Sequence, residues 1–571
     1  MTVTQEPWWK NAVVYQVWPA SFKDSNGDGI GDLNGLTSKL DHIKSLGTDV
    51  IWLSPHYASP MDDMGYDISD YNAINPQFGT MEDMDNLLAE VKKRDMKLIL
   101  DLVINHTSSE HQWFKESRSS RDNPKRDWYI WKDKANNWMS MFSGSAWKLD
   151  EQTGQYYLHL FAESQPDLNW ENPETREAIY KSALEFWYEK GVSGFRIDVC
   201  SLYSKVQTYA DAAITIPGAP YQPSWEMCVN GPRIHEFHKE MYEKVTSKYD
   251  AMTVGEVGNC SKADALKYSS AKEKEINMMF LFDAVSVGAE PTDRFIKKAW
   301  QLTDFKDAIK SQSEFIYDDE TGELNDAWST VFIENHDQPR SNSRFGNVTN
   351  KLFWERSSKL ISMLQVTLTG TLFLYQGQEI GMTNVPLEWD PKEYLDIQTV
   401  NYWKAFLKDN PSEEEKQKRM EGINLLARDH ARTPVQWDDS TNAGFGDGKP
   451  WMRVNDNYKE INVAKQVNDE NSVLSFWKNA IKLRKAYSDT LVFGKFKIFD
   501  YENQQVFAYS KTKGNKKVSV FLNFSDKEVD YTFPEGELIL TNVTDGLQAS
   551  QHIKEGVILS ELVKDYLIYK S

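Results

Sequence analysis

The chain has 571 residues, of which 40% are hydrophobic and 26% charged, and this composition is that of a globular protein and excludes a disordered one. Its net charge of −20 excludes nucleic acids and anionic membranes as expected partners, because both would repel an acidic surface. Three cysteines are too few for a disulfide framework, and no segment reads as a signal peptide or a membrane span, so we expect a cytoplasmic protein.

The first hundred residues alternate short apolar runs with helical patterns. Residues 11–19, 49–55 and 97–105 read as strands buried on both faces. Leucine and isoleucine repeat at helical spacing over 33–46, and Thr80 with Asp83 forms a capping-box pattern before a second helical stripe. This alternation predicts a parallel sheet covered by helices.

The segment DSNGDGIGD, residues 24–32, has the alternate-oxygen spacing of a calcium loop. It is not an EF-hand, because the twelfth position is Gly35 and the preceding segment is a strand. We expect a structural calcium ion here, with magnesium as a second choice and a metal-free Asx/Gly turn as the plain alternative. The expected ligands are side-chain oxygens and one backbone carbonyl, supplied by Asp24, Asn26, Asp28, Ile30 (carbonyl) and Asp32.

Five further strands follow an interruption of the rhythm. Residues 107–173 lack a long apolar stripe and are interpreted as a small inserted domain B. Strands are then predicted at 191–199, 251–257, 276–283, 328–337 and 370–379, with helices between them, for example at 232–246 and 351–368. Eight strands predict an α/β fold, a (β/α)₈ TIM barrel formed by residues 1–106 and 174–494 as the catalytic domain A.

The last part of the chain changes to short strands with alternating faces. Residues 495–501, 505–512, 516–524, 529–534 and 536–543 carry this pattern, separated by turn residues. We therefore predict a C-terminal all-β sandwich, domain C, over residues 495–571.

Polar residues at the carboxyl ends of the predicted strands mark the expected site, because barrel enzymes place their chemistry there. His106 ends the third strand, Arg196 and Asp198 lie on the fourth, Glu256 ends the fifth, and His336 with Asp337 end the seventh. A group of carboxylates around one pocket is typical of glycoside hydrolysis. If only one of these residues were present, we would interpret it as a member of a salt bridge or as the cap of a strand end, without a catalytic role.

Four segments in this order, DLVINH (101–106), GFRIDV (194–199), TVGEV (253–257) and ENHDQPR (334–340), resemble the signature regions of the α-amylase superfamily, glycoside hydrolase family 13. QPDLNW (165–170) resembles a fifth region. GYD (65–67) and RDHARTPVQW (428–437) are similar to the exo-acting α-glucosidase branch, and SLYSK and NGPRIHEFH to its yeast maltase, isomaltase and oligo-1,6-glucosidase members.

The resemblance implies a role for each matching residue. Asp198 would be the nucleophile, Glu256 the general acid and base with a raised pKa, and Asp337 the stabiliser of the transition state. Arg196 would sit against Asp198 and help to keep it ionised, and the two catalytic carboxyls would stand roughly 5–5.5 Å apart. Further substrate contacts are implied for His106, His336 and a pair formed by Asp67 and Arg428.

The expected activity is that of a retaining, exo-acting α-glucosidase on disaccharides and short oligosaccharides, as a monomer. Val199, which follows the nucleophile, resembles the isomaltase type and favours α-1,6 bonds. Maltase-type α-1,4 cleavage, sucrose hydrolysis and transglucosylation stay open. An inactive transport-associated relative is a remote alternative, and the stretch 284–295 lacks the arginine-rich loop of sucrose isomerases.

Overall fold

The computed structural model describes residues 6–542 except 259, 292, 530, 533 and 535, and in addition the backbone of Val557–Leu562. Its main feature is a sheet of eight parallel strands in the order β6-β5-β4-β3-β2-β1-β8-β7. These strands are β1 Val13–Val17, β2 Val50–Leu53, β3 Lys97–Leu102, β4 Gly194–Ile197, β5 Met252–Glu256, β6 Met278–Phe280, β7 Thr330–Val331 and β8 Thr371–Tyr375.

The sheet curls into a nearly closed barrel. β1 pairs with β8 in the register Val13↔Leu372, which brings the first and last strands together. Between β6 and β7 the described residues form no backbone ladder, and the hydroxyl of Thr330 donates to the carbonyl of Met279 over 3.1 Å. Gly194 permits the close approach of β4 and β5, since a Cβ there would stand 1.9 Å from the Met252 carbonyl oxygen. The predicted (β/α)₈ barrel is confirmed.

Strand alternation separates the barrel interior from its helix-facing surface. One buried cluster collects alternate residues of the strands, and it contains Val14, Val50, Trp52, Ile99, Met252, Val254, Met278, Phe280 and Phe373. The intervening residues, such as Tyr15 and Leu98, belong to the cluster packed against the helices. Because side chains alternate along a strand, the next inward positions are Gln16 on β1, Asp101 on β3 and Glu256 on β5. The apolar interior therefore ends in polar groups at the carboxyl edge.

Helices surround the barrel between its strands. The predicted capping box is present: Thr80 and Asp83 bond reciprocally at the start of Met81–Lys93. The α-helices are Pro19–Phe22, Leu33–Ser38, Leu40–Ser45, Met81–Lys93, Gln112–Ser119, Pro173–Ile179, Phe186–Glu189, Trp225–Cys228, Ile234–Lys244, Lys262–Ser269, Asp283–Ser286, Leu302–Glu314, Ser341–Phe345, Lys351–Thr367, Ile397–Leu407, Glu413–Leu426, Asp429–Arg432, Val463–Gln466, Val473–Ala486 and Ser488–Leu491. None of the helices in the described part of the chain has the length and apolar character needed to cross a membrane.

Three small sheets lie in the connections at the carboxyl edge. Tyr57–Ala58 pairs with Asp70–Ile74 after β2, and this hairpin frames the GYD segment. After β3, Trp131–Lys132, Trp147–Asp150 and Gln155–Leu158 form a three-stranded antiparallel sheet. After β6, Ala289–Glu290 pairs with Asp293–Lys297. These additions build walls around the mouth of the barrel.

The C-terminal strands form one antiparallel sheet in the order β9-β10-β11-β13-β12. They are β9 Lys495–Phe499, β10 Val506–Lys513, β11 Lys516–Asn523, β12 Glu537–Thr541 and β13 Val557–Leu562. The prediction of an all-β C-terminal part is confirmed. Its five described strands lie in a single sheet, so the described residues do not include a second sheet of the predicted sandwich. β13 was not predicted, and the strand predicted at 529–534 falls partly outside the described residues, while Tyr531 and Thr532 are not in a strand.

Candidate active site

One buried guanidinium gathers three carboxylates at the carboxyl ends of β3, β4 and β5. Nη1 of Arg196 donates to Oδ1 of Asp101 over 2.6 Å and to Oδ1 of Asp198 over 2.7 Å, and Nη2 donates to Oε2 of Glu256. The side chain of Arg196 is 2% exposed, that of Asp198 9% and that of Glu256 17%. The two predicted catalytic carboxylates thus meet on one cation, with Glu256 the more open to solvent.

Burial and the charge of Arg196 act in opposite directions on Asp198. As expected, Arg196 acts to lower the pKa of Asp198 and so helps to keep it ionised. Burial is the larger effect and raises that pKa well above its ordinary value, and the charges of Glu256, Asp101 and Asp337 add to it. One cation shared among three carboxylates cannot offset the loss of water for all of them. Burial therefore favours the protonated form of Asp198 more than in a free aspartate.

Asp337 lies in a second cluster, made by the segment after β7 and the helix Asp429–Arg432. Its Oδ1 accepts from Nη1 of Arg428 over 3.0 Å and from Nη2 of Arg432 over 2.8 Å, and its Oδ2 lies 3.2 Å from Nε2 of His336. Burial acts to raise the pKa of Asp337, but His336 and the two arginines outweigh it and hold that pKa well below the ordinary value. Asp337 is an anion at neutral pH.

The phenol of Tyr66, in the GYD segment, connects the two clusters. Its oxygen lies 2.6 Å from Nε2 of His336, 3.3 Å from Oδ2 of Asp101 and 3.5 Å from Nη1 of Arg196. The rings of Tyr66 and His336 are nearly parallel, at 9°. The motif residues therefore form one continuous polar surface.

His106 is buried beside the inserted sheet and outside both clusters. Its Nδ1 faces the amide nitrogen of Asn105 at 3.1 Å, and its Nε2 faces that of Gln165 at 3.2 Å. Lys205, 1% exposed, donates to Asn105 over 2.8 Å and bonds Asp167 at 2.7 Å. The QPD segment and the barrel are thus tied together by buried polar contacts. Burial lowers the pKa of His106 to about 4.

The predicted pair of Asp67 and Arg428 is absent, although both residues are described. Asp67 is fully buried, and its carboxylate accepts from the hydroxyl of Ser59 and from the backbone N–H groups of Asp62 and Asp63. Arg428 instead bonds Asp337 and Asp396 and lies 3.8 Å from Asp63. The carboxylate oxygens of Asp67 thus accept hydrogen bonds from within their own loop, and this explains why Asp67 does not pair with Arg428.

Val199 takes a conformation that is unusual for its residue type. Its φ is +37°, in the left-handed region that β-branched side chains rarely occupy. Its backbone N–H lies 3.4 Å from Oε2 of Glu256. Backbone strain of this kind persists where the surroundings over-determine it, and here it adjoins both predicted catalytic carboxylates.

Several residues of the site were not singled out from the sequence. Asp101, Gln165 and Arg432 lie within quoted motifs, and Gln16 occupies an inward position that strand alternation could have indicated. No local signal marks Asp63 or Asp396. Asp396 is buried, receives both Arg428 and Arg432, and caps the helix Ile397–Leu407 through Thr399.

The loop of residues 24–32 is stabilised by its own backbone. The oxygens of Asp24 accept from the N–H groups of Asn26, Gly27 and Gly29, and those of Asp32 from Ser25 and Gly35. Within the described residues, no three carboxylate, histidine or cysteine side chains are grouped as a metal site. The donor chemistry suits calcium, but these oxygens are already engaged. The calcium ion stays a prediction.

A family profile described as the alpha-amylase catalytic domain matches residues 16–494. This chain belongs to the alpha-amylase family. The resemblance that the signature segments indicated is therefore confirmed. The prediction that the protein is a glycoside hydrolase is confirmed as well.

Similar curated members of the alpha-amylase family cover nearly the whole chain. An alpha-glucosidase of Candida albicans is 56% identical over 559 residues, which is 95% of this chain and 97% of that protein. An oligo-1,6-glucosidase of Saccharomyces cerevisiae is 47% identical over 563 residues, 95% of each chain. Among solved structures, an isomaltulose synthase of Erwinia rhapontici NX5 with sucrose bound matches with a TM-score of 0.91 and 38% identity, covering 97% of this chain and 99% of the other.

Proposed function

We propose that this protein is a retaining α-glucosidase that removes terminal glucose from the non-reducing end of small saccharides. The observation that carries the proposal is the contact of Asp198 and Glu256 with the two terminal nitrogens of Arg196. Retaining glycosidases need two carboxyl groups roughly 5–5.5 Å apart, and one planar guanidinium is a suitable spacer for such a pair.

The reaction is a double displacement. In the first step a carboxylate oxygen of Asp198 forms a bond to the anomeric carbon while the bond to the leaving oxygen breaks, and Glu256 gives that oxygen its proton. In the second step Glu256 takes a proton from water, the water oxygen bonds to the anomeric carbon, and Asp198 leaves as a carboxylate. The anomeric configuration is retained because it is inverted twice.

The protonation state of Asp198 and Glu256 determines when the site is active. The raised pKa of Asp198 favours a proton within the carboxylate cluster. The first step requires that this proton lie on Glu256 and that Asp198 be ionised, because a protonated nucleophile cannot attack. We expect a bell-shaped dependence of kcat/KM on pH, whose two limits belong to the pair as a whole and to neither residue alone.

The remaining polar groups suit the ring hydroxyls and the transition state. Asp337 is an anion, so it accepts hydroxyl hydrogens and stabilises positive charge at the anomeric carbon. His106 and His336 are neutral at pH 7, because burial lowers the pKa of each to about 4. Arg428, aligned by Asp337 and Asp396, would donate to the hydroxyls of the terminal glucose and limit the pocket to an exo-acting mode.

We favour α-1,6 bonds as the substrate linkage. Val199 offers no hydroxyl to a sugar beyond the scissile bond, and several similar proteins are named oligo-1,6-glucosidases. Maltose and sucrose stay as alternative substrates. Transfer of glucose to a sugar acceptor is a second candidate activity, since structural relatives at 38–40% identity are isomaltulose and trehalulose synthases.

The first experiment is release of p-nitrophenol from its α-glucoside by the purified protein. We expect hydrolysis by the wild type and a loss of at least about 10³-fold in Asp198→Asn, which cannot form the covalent intermediate. Equal rates of p-nitrophenol release by both proteins would contradict the assignment as an α-glucosidase and would favour an inactive binding relative. The anomer released first, followed by NMR, should be α; a β product would exclude retention.

The second experiment addresses the linkage. Isomaltose, maltose and sucrose are incubated separately with the protein, and products are followed by chromatography. Cleavage of isomaltose with the highest kcat/KM supports the α-1,6 assignment, and cleavage of maltose alone contradicts it. Products longer than the substrate would show transglucosylation.

A further inference from the structure

Gln16, on the first barrel strand, contacts a residue of the candidate site. Its side-chain nitrogen lies 2.8 Å from Nδ1 of His336 and 3.1 Å from the hydroxyl oxygen of Ser54. Gln16 is 1% exposed and His336 is fully buried, so water cannot replace either bond at low cost. This contact joins β1 to the segment after β7.

The neighbours of the other ring nitrogen of His336 indicate whether it carries a proton. Its Nε2 lies 3.2 Å from Oδ2 of Asp337 and 2.6 Å from the oxygen of Tyr66. Asp337 is ionised, and an ionised carboxylate can only accept. The phenol of Tyr66 can donate or accept, and its own hydrogen is directed to Oδ2 of Asp101 over 3.3 Å. A proton on Nε2 is therefore the arrangement that suits both of its neighbours. In a neutral imidazole the opposite nitrogen, Nδ1, must then accept a hydrogen bond, and the amide of Gln16 is the donor placed there.

The imidazole ring is also held in its plane. The ring of Trp18 lies 5.4 Å from it at an angle of 17°, and that of Trp52 meets it edge-on at 5.8 Å. Nε of Arg432 donates to the backbone carbonyl of His336 over 3.1 Å. The ring has little freedom to turn, so its tautomer rather than its rotamer is the variable that remains.

We propose that Gln16 is a positioning residue that fixes His336 as the neutral Nε2–H tautomer, so that His336 donates to Asp337 in the active site. This inference deepens the proposed function and rests on it. The amide N–H group of Gln16 at Nδ1 also disfavours the imidazolium form of His336, because that form would place two N–H groups against each other.

The charged and titratable groups that face His336 come from four elements. They are Tyr66, Arg196, Asp337 and Arg432. Burial lowers the pKa of His336 to about 4, while Asp337 opposes that shift and the two arginines add to it. In the wild type His336 is therefore neutral at pH 7.

Two substitutions at Gln16 separate the proposed role from a packing role. Gln16→Met keeps the length of the side chain but removes the donor, and we expect kcat/KM to fall about tenfold at every pH, the value of one buried hydrogen bond. Gln16→Glu places an acceptor at Nδ1, which draws the proton there and raises the pKa of His336. Below that new pKa the imidazolium still offers Nε2–H, and above it the neutral Nδ1–H tautomer does not. Activity should thus be kept at low pH and lost as pH rises.

The matched control is Gln466→Met, since Gln466 is a buried glutamine whose contacts are to the backbone of Ile380 and Leu474. It should lower the melting temperature without changing the shape of the pH profile. The same profile shape for wild type, Gln16→Met and Gln16→Glu, or an unchanged kcat/KM in a folded Gln16→Met, would overturn the proposal.

A measurement on the wild type covers the case in which the Gln16 variants do not fold. Imidazole ¹H–¹⁵N spectra of protein labelled with ¹⁵N-histidine report the tautomer, with His336 assigned by its loss in His336→Asn. Protonated Nε2 with bare Nδ1 is expected, and the reverse overturns the proposal. This readout needs no turnover, so it is independent of whether the wild type hydrolyses an α-glucoside.

Discussion

Nη1 of Arg196 donates to Oδ1 of Asp198 over 2.7 Å, and both side chains are buried. The same guanidinium holds Asp101 and Glu256, so it is the one cation within reach of the three carboxylates of this described cluster. Its planar fork serves several acceptors at once, which a lysine ammonium on a flexible stem cannot reproduce.

Arg196→Lys should therefore impair both activity and stability. We expect a loss of kcat/KM of at least about 10²-fold, because the catalytic carboxylates lose their common spacer. The free energy of unfolding should fall by roughly 3–5 kcal/mol in Arg196→Met, which leaves buried carboxylates uncompensated. Arg233→Lys is the control, since Arg233 pairs with Glu236 on the surface. Wild-type kcat/KM in Arg196→Lys would contradict the assignment.

The partner choice of Arg428 predicts the outcome of two double-mutant cycles. Asp396→Asn combined with Arg428→Gln should give a coupling energy of about 1–3 kcal/mol in denaturant unfolding, because the two side chains bond directly in a buried site. Asp67→Asn combined with Arg428→Gln should be additive within about 0.5 kcal/mol. Strong coupling in the second cycle would show that Asp67 and Arg428 interact, as the sequence suggested.

Stability should decline in acid because several histidines are buried in their neutral form. His56 is an example: it is fully buried, and burial lowers its pKa to about 3. Between that value and the ordinary one near 6.5, the unfolded chain binds a proton that the native chain does not. The free energy of unfolding therefore falls as pH drops from about 6.5, by up to roughly 1.4 kcal/mol per pH unit for one group.

His56→Phe tests this linkage while keeping a ring against Tyr57 and Trp187. Denaturant unfolding at several pH values should show a shallower slope between pH 6.5 and pH 4 in the variant than in the wild type. Identical slopes would mean that His56 is protonated, or accessible to water, in the native state.

Val199→Thr should shift the linkage preference. Threonine adds a hydroxyl next to the nucleophile at nearly constant volume, so we expect the ratio of kcat/KM for maltose to that for isomaltose to rise. Val199→Ala is the control for volume alone, and it should not favour maltose in the same way. An unchanged ratio in Val199→Thr would assign the residue to packing and to the strained turn at φ +37°.

The loop of residues 24–32 carries the calcium prediction. If a cation binds, added calcium should raise the melting temperature, chelation should lower it, and Asp28→Ala should abolish both effects. Asp122→Ala, at another exposed aspartate, is the control. If neither calcium nor chelator changes the melting temperature, and calorimetry shows no binding, the hydrogen bonds of Asp24 and Asp32 to their own loop are the whole role of the motif.

The sequence by itself determined the barrel and the location of its chemistry. Eight buried strands alternating with helices permit few other folds, and parallel strands bring their carboxyl ends to one edge. The side chains of Arg196, Asp198, Glu256, Asp337 and His336 follow from strand-end positions, and period-two alternation also places Gln16 and Asp101 inward. Each of these patterns can be identified within a single segment of the sequence.

Only the tertiary structure decided which side chains pair and in which direction the pKa of Asp198 moves. Arg428 meets Asp337 and Asp396 rather than Asp67, because residues far apart in the chain compete for one guanidinium and the loop N–H groups already satisfy Asp67. The pKa of Asp198 rises because burial outweighs Arg196. Both outcomes are balances of large opposing electrostatic contributions that depend on distance and on water exclusion, and neither quantity is encoded in a local sequence pattern.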